Sequence, residues 1–324
     1  MKAIVFTKYG SPEVLELEEV EKPAPGDDEV LIRVRAVSVN DWDWQALQGS
    51  FINRLFFGLR KPKRNRQILG SDVAGQVEAV GRNVRWFRAG DDVFGDLSGR
   101  WGGFAEYACA NQNALIRMPG GMTYEQAAAI PQAALLALQA LCDKGRIRNG
   151  QTLLINGSGG GAGTFAIQIA RLYDAKITAV DRAEKLDMLR SMGAQQVIDY
   201  RVEDFTRTGQ RYDLIFDVKT NRSPLAYASA LNRGGTYVSV GGDLARALQA
   251  LILAPWISLT ARKRITFLAL KPNKDLHRIS ELFEEGKLVP VIDRIYRLEE
   301  TAEAFRYFAS GLHLGKLVIT LREG

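Results

Sequence analysis

The chain has 324 residues, 46% hydrophobic and 25% charged, with a net charge of +6. This is the composition of a folded globular protein and excludes a disordered or fibrous one, and the length exceeds what a single core fills, so two domains are expected. No apolar run reaches the ~20 residues that cross a bilayer; two cysteines and two histidines exclude a four-cysteine zinc lobe and all but exclude a histidine-rich metal site.

The first part of the chain reads as β-rich. Met1-Lys2-Ala3-Ile4-Val5-Phe6 reads as a strand without the pattern of a signal peptide, so a cytoplasmic protein is expected. Further β-branched or alternating runs fall at 29–37, 74–80, 92–94 and 105–109, separated by turn signals such as Pro23-Ala24-Pro25-Gly26 and Gly81-Arg82-Asn83. Cys109 and Cys142 lie among apolar residues and read as buried free thiols. The basic run Arg60-Lys61-Pro62-Lys63-Arg64-Asn65-Arg66 and the triplet Arg262-Lys263-Arg264 suit nucleic acid or a membrane surface. No interleaved aromatics or recognition helix accompany them, so they read as solvated loops and neither partner is expected.

Thr123 followed by Gln126 is a capping box that opens a helix. Pro131 kinks it, and a second helix covers 133–144. Strands and helices then alternate: strand 152–156, helix 164–173, strand 176–180, helix 182–192 ending at Gly193, strands 196–199 and 212–218, helix 225–231, strands 235–240 and 264–270. The alternation predicts a doubly wound parallel sheet over residues 123–270. The tail, with helices 275–285 and 301–310 and strands 291–296 and 317–321, is expected to rejoin the β-rich start. The second domain is then 1–122 plus 271–324. The segments 48–66 and 244–260 are left as loops of underived conformation.

The strand 152–156 stops at Asn156-Gly157-Ser158-Gly159-Gly160-Gly161-Ala162-Gly163-Thr164, and a helix starts directly behind. Glycines admit a pyrophosphate close to the backbone, and the first helical N–H groups face its charge. Two frames fit, Gly157-x-Gly159-x-x-Ala162 and Gly157-x-x-Gly160-x-x-Gly163. Asp181, about 20 residues on, suits the adenosine ribose hydroxyls and favours NAD(H); Arg182 beside it suits a 2′-phosphate, so NADP(H) stays open. Asp217, Val240 and Gly241 end later strands on the side where such sheets bind ligands.

With these elements in order, the whole chain resembles the zinc-independent medium-chain dehydrogenase/reductases of the quinone oxidoreductase, or zeta-crystallin-like, group. The resemblance rests on Met1-Lys2-Ala3-Ile4-Val5 with Gly10-Ser11-Pro12-Glu13, Ser38-Val39-Asn40-Asp41-Trp42, Leu69-Gly70-Ser71-Asp72-Val73-Ala74-Gly75, Gly90-Asp91-Asp92-Val93-Phe94-Gly95, the glycine loop and the closing Gly315-Lys316-Leu317-Val318-Ile319. It implies an α/β fold in which a Rossmann sheet is inserted into a GroES-like β-rich domain, and a homodimer pairing through the edge at 264–270.

Three departures shape the expected chemistry. Zinc-dependent relatives carry a cysteine where this chain has Asn40, Gly-His-Glu where it has Gly70-Ser71-Asp72, and a third ligand near Gln132. No thiolate or imidazole stands there, so no zinc is expected and the Lewis-acid route is lost. Quinones and α,β-unsaturated carbonyls need no such ion: hydride from NAD(P)H adds to an electrophilic carbon, and one hydrogen bond to the developing oxyanion suffices. Asn40 is the candidate for that bond, against a plain turn residue bonding its own backbone. Leu136 stands where similar reductases carry a threonine. Trp42, Phe51 and Trp256 are candidate walls of an apolar pocket. The alternatives are an alcohol dehydrogenase-like enzyme and a non-catalytic protein binding dinucleotide or nucleic acid.

Overall fold

The computed structural model of the protein describes residues 1–241 and 244–321, with the side chains of 52, 244–248, 250, 251, 260 and 261 set aside. The chain divides into two compact units, Met1–Gln132 with Pro272–Gly324, and Ala133–Lys271.

In the first unit, β1 (Lys2–Phe6) and β2 (Leu15–Glu19) form an antiparallel hairpin. The ten-residue β3 (Glu29–Ser38) is the spine, with Val30, Ile32, Val34 and Val37 all buried. Two short helices follow, α1 (Asp41–Gln48) and α2 (Phe51–Phe57). Then come β4 (Asp72–Val80), β5 (Asp92–Asp96), β6 (Tyr107–Asn111) and β7 (Ile116–Arg117). β3 pairs antiparallel with both β4 and β6. The expected capping box forms: the Gln126 N–H donates to Thr123 Oγ1 at 3.2 Å and the Thr123 N–H to Gln126 Oε1 at 3.0 Å. It starts α3 (Tyr124–Ala129), whose buried Ala127, Ala128 and Ala129 let it lie close on β3 and β4. The boundary between units thus falls after this helix, at Gln132.

α4 (Pro131–Leu138) leads into the second unit and continues as a π-turn, Gln139–Lys144. β8 (Thr152–Asn156), α5 (Gly161–Arg171), β9 (Lys176–Asp181), α6 (Leu186–Ser191) and β10 (Gln196–Asp199) follow. β11 (Tyr212–Asp217), α7 (Pro224–Ser229), β12 (Leu231–Ser239), α8 (Leu244–Ala261) and β13 (Arg264–Phe267) complete the unit. All six strands are parallel, in the order β10-β9-β8-β11-β12-β13. The order reverses between β8 and β11, which puts the crevice for a ligand beyond the carboxyl ends of those two strands. Leu153, Leu154, Ile155, Ile215, Phe216 and Val238 are all fully buried, as strands covered on both faces must be.

The C-terminal α9 (Leu276–Glu284), β14 (Ile292–Arg297), α10 (Thr301–Ser310) and β15 (Lys316–Thr320) return to the first unit. β15 pairs parallel with β14 and antiparallel with β3. Phe305 of α10 stacks edge-on to Phe104 at 5.7 Å in the fully buried centre of that unit.

Four sequence expectations need correction. Residues 48–66 hold α2, and 244–260 lie in the eighteen-residue α8. Pro255 removes one N–H from α8 without ending it, because its partly and fully buried Leu253, Ala254 and Ile257 pack on the sheet's apolar cluster. β12 starts at Leu231 rather than 235, since Leu231 pairs with Tyr212 ahead of a register shift that absorbs Gly234-Gly235. Cys109 is buried, but Cys142 is only partly so, its Sγ lying 3.5 Å from the Tyr173 hydroxyl.

Candidate functional site

The glycine loop joins β8 to α5. Gly157 has φ +87°, a left-handed conformation that suits glycine. The N–H groups of Gly157 and Ser158 donate to Val180 O at 3.0 and 3.2 Å, and the Gly159 N–H donates to Asp181 Oδ2 at 2.7 Å. The loop is thereby tied to the end of β9. A Cβ on Gly163 would lie 2.4 Å from Gly157 O and 2.5 Å from the Ser158 Cα, so only glycine lets the helix come this close. A Cβ on Gly160 would meet nothing nearer than 3.9 Å. Gly160 is the N-cap of α5 and offers no capping side chain. The first N–H groups of the helix, at Gly161, Ala162 and Gly163, have no intrahelical acceptor by geometry and so suit an anion.

Ser158 and Thr164 sit in this loop but turn their hydroxyls inward. Ser158 Oγ donates to Ile155 O at 2.6 Å and accepts from the Val180 N–H at 3.1 Å; Thr164 Oγ1 donates to Gly161 O at 2.9 Å. Both side chains brace the turn, so a ligand meets only backbone at these positions.

Asp181 closes β9 and is nearly buried. Its Oδ1 accepts the Arg182 N–H at 2.9 Å and lies 3.9 Å from the Lys185 ammonium, itself nearly buried. Lys185 was missed in the sequence; it stands four residues after Asp181 on the following turn, and its Cδ would contact a Cβ at Gly159.

Asp217 ends β11. It is fully buried, and both its oxygens accept donors of the protein: Asn156 Nδ2 at 2.8 Å and the Thr220 N–H at 2.8 Å on one, the Tyr237 hydroxyl at 2.7 Å on the other. It braces the ends of β8, β11 and β12. The same carboxylate, with burial as the larger cause, pushes both the Tyr227 and Tyr237 hydroxyls upward in pKa. Thr220, just beyond, holds a left-handed φ of +47°, costly for a β-branched residue. Its hydroxyl keeps it there, 2.8 Å from Ser239 Oγ and donating to Gly241 O at 2.6 Å. That carbonyl, next to half-buried Val240, forms the outer lip of the strand ends. Gly242 lies outside the described residues.

In the first unit, Asn40 caps α1 through its backbone: its N–H donates to Asp43 Oδ2 at 3.0 Å. Its side chain does something else. Lys316 Nζ donates to Asn40 Oδ1 and, at 3.2 Å, to Val39 O. An ammonium can only donate, so the amide oxygen must face it, and Asn40 Nδ2 is turned to the other side, where it donates to Ser71 Oγ at 3.5 Å. The Gln132 N–H donates to Asp72 Oδ2 at 3.1 Å, and Lys316 Nζ lies 3.9 Å from the same oxygen. Positions 40, 71 and 132 therefore do converge, around Asp72 and Lys316. Leu136 is half-buried on α4, and Trp42, Phe51 and Trp256 are all exposed.

This cluster buries three carboxyls, Asp43, Asp72 and Asp96, with one lysine. Asp72 and Asp96 are cross-strand neighbours on β4 and β5. One ammonium offsets one negative charge, and stripping water from the others is expensive. Burial accordingly pushes Asp43 up to about 7, against two backbone N–H bonds from Gly70 and Asn40. Burial and the neighbouring Asp96 push Asp72 upward, burial also raises Asp96, and burial lowers Lys316. Asp72 Oδ1, Asp96 Oδ2 and Gln132 Nε2 are buried without hydrogen-bond partners. Lys316, Asp43 and Asp96 carried no local signal: the Lys316–Asn40 contact spans 276 residues.

Among the described residues no helix is long and apolar enough to cross a membrane. Residues 26–120 match the alcohol dehydrogenase GroES-like domain family, and residues 192–319 match the zinc-binding dehydrogenase family. A quinone-oxidoreductase homolog of Spinacia oleracea chloroplasts is 31% identical, with 98% of each chain covered. The chloroplastic NADPH-dependent alkenal/one oxidoreductase of Arabidopsis thaliana is 29% identical over 98% of this chain and 79% of its own. The solved quinone oxidoreductase of Coxiella burnetii is 30% identical, covers 99% of both chains and superposes with a TM-score of 0.87.

Proposed function

The chain belongs to the medium-chain dehydrogenase/reductases, in their quinone oxidoreductase group, and on that footing we propose a zinc-free oxidoreductase that transfers hydride from NAD(P)H to a quinone or an α,β-unsaturated carbonyl compound. The observation that carries this reading is the Lys316–Asn40 contact. At the three positions where zinc-dependent relatives carry ligands, this chain offers a neutral amide, a serine hydroxyl and a glutamine; the Asp72 carboxylate beside them already faces the Lys316 ammonium, which also donates to the amide oxygen. With no thiolate or imidazole, and with a cation already facing the carboxylate, that donor set does not fit Zn²⁺.

The second unit fits a nicotinamide dinucleotide. The open N-terminus of α5 would hold its pyrophosphate, with Gly160 leaving room for approach and Gly157, Ser158, Gly159, Gly161, Ala162, Gly163 and Thr164 shaping the cradle. Asp181 and Arg182 would flank the adenosine ribose. Bound there, the nicotinamide supplies the hydride. Asp181 favours NADH, but Lys185 offsets its charge, so the preference over NADPH is on the order of tenfold or less. Replacing Asp181 with serine leaves Lys185 and Arg182 beside the ribose and is expected to reverse that preference, read as Kd for the two cofactors.

Asn40 Nδ2 donates to the substrate oxygen on which negative charge develops, and Lys316 keeps the amide turned that way. In a quinone the charge spreads over the ring; in an enone it becomes an enolate. We also propose a homodimer at the edge strand β13, whose outer side is unpaired among the described residues.

The test is NAD(P)H oxidation with a benzoquinone and a 2-alkenal in the presence of a metal chelator. Turnover in chelator is expected, and Asn40→Ala should lower kcat by about 10²-fold, the range for loss of one oxyanion donor. Cofactor binding without turnover of either acceptor, or zinc-dependent alcohol oxidation, would overturn the proposal.

A further inference from the structure

We propose that α2 and the basic segment behind it form a docking surface for anionic lipid, so that the protein binds the face of a negatively charged bilayer. Phe51, Leu55, Phe56 and Leu59 are exposed to 72%, 56%, 65% and 64%. Phe51 and Leu55 are four residues apart on α2 and so share one face, with Phe56 beside it; Leu59 follows just past the helix end at Gly58. The face is held outward. Phe57, only 2% exposed, is anchored on Phe6 and Trp101 at ring distances of 6.4 and 5.2 Å. The Tyr9 hydroxyl donates to Gly58 O at 2.6 Å, and Arg54 Nε donates to Gly49 O at 2.8 Å. With both ends pinned, the apolar side chains cannot turn into the core.

Exposed Arg60, Lys61, Lys63 and Arg64 follow at once. Among the described residues none of the four enters an ion pair. Apolar and aromatic side chains at the head-group level, flanked by unpaired cations, are what an anionic interface takes up. The charge argues for lipid over a second copy of the chain, because a two-fold pairing of this patch would set basic residues against basic residues. It argues against nucleic acid too, since Leu55 and Leu59 offer nothing to phosphates or bases. The pattern recurs in the second unit: Ile252, Trp256 and Leu259 are exposed at helical spacing on α8, and Arg262-Lys263-Arg264 follow. On the function proposed above, such docking brings the enzyme to where poorly water-soluble quinones and alkenals dissolve.

The test is co-sedimentation of the full chain with vesicles of phosphatidylcholine alone, and of phosphatidylcholine with phosphatidylglycerol, at low and high salt. The protein should pellet with the anionic vesicles at low salt, and not with the neutral ones. High salt should release it. Leu55→Ser with Phe56→Ser, and separately Lys61→Gln with Lys63→Gln, should each weaken partitioning at least tenfold at unchanged melting temperature. Glu13→Gln, on another surface, should not. Binding needs no turnover, so it stands or falls apart from the reductase reading. Absence of binding to anionic vesicles at low salt would overturn the proposal. So would a wild-type dimer that the Leu55→Ser and Phe56→Ser pair dissociates, or partitioning that the substitutions leave unchanged.

Discussion

The buried cluster around Lys316 decides more than any other group of residues in the first unit. An aspartate exposed in the unfolded chain titrates near ~4, whereas Asp43 is pushed up to about 7 and Asp72 upward as well by burial. Between those values the folded protein holds protons that the unfolded chain has released. Stability is therefore fully present below the unfolded value and is lost as pH rises through the folded one. Lys316, lowered by burial, has the opposite sign: its contribution is present above the unfolded value and is lost as pH falls through the folded one. The melting temperature should fall from pH 5 to pH 8, with a slope of at most about 1.4 kcal/mol per pH unit for each proton. Asp72→Asn should flatten that fall; a profile identical to the wild type would show that the carboxyl is ionised throughout. Asn40 was legible as a departure from the family's metal site. Its orientation was not, because Lys316 and Ser71, which settle it, lie 276 and 31 residues away.

At the level of elements, the glycine loop shows two different needs for the same residue. Gly163 is required by the fold, since a Cβ would strike Gly157 O at 2.4 Å; Gly160 is not, since its Cβ side is open. Gly163→Ala should cost about 1–3 kcal/mol in stability by overpacking. Gly160→Ala should leave the melting temperature unchanged and still weaken NADH binding, because on the proposed function the space it fills takes the pyrophosphate. Thermal melts with and without NADH separate the two; equal effects on the fold would refute the distinction. The loop was readable because its signal is local: strand, glycines, helix and an acidic residue at a set distance. α8 was not, because Pro255 reads locally as a breaker and only packing against the sheet keeps the helix going.

For the whole molecule, the strand order 3-2-1-4-5-6 of the second unit places the loop at the reversal of the sheet. A ligand that binds only the folded protein raises its stability by RT ln(1 + [L]/Kd), about 2.7 kcal/mol at a hundredfold excess over Kd. NADH should raise the melting temperature accordingly, and exhaustive dialysis against a chelator should leave it unchanged. A drop after chelation would reveal a structural metal and refute the zinc-free reading.

The amino-acid sequence alone determined the alternation of strands and helices, the strand–glycine–helix turn and the lack of thiolate and imidazole at positions 40, 71 and 132. These rest on periodicity, glycine spacing and residue type, which are properties of short stretches. Only the tertiary structure decided that Asp217 is a brace, that Asp181 is shared between Gly159 and Lys185, and that Lys316 meets Asn40 and Asp72. Those outcomes depend on which distant groups share a buried volume. There, unpaired charge is too costly to leave, so the role of each residue is set by its partners.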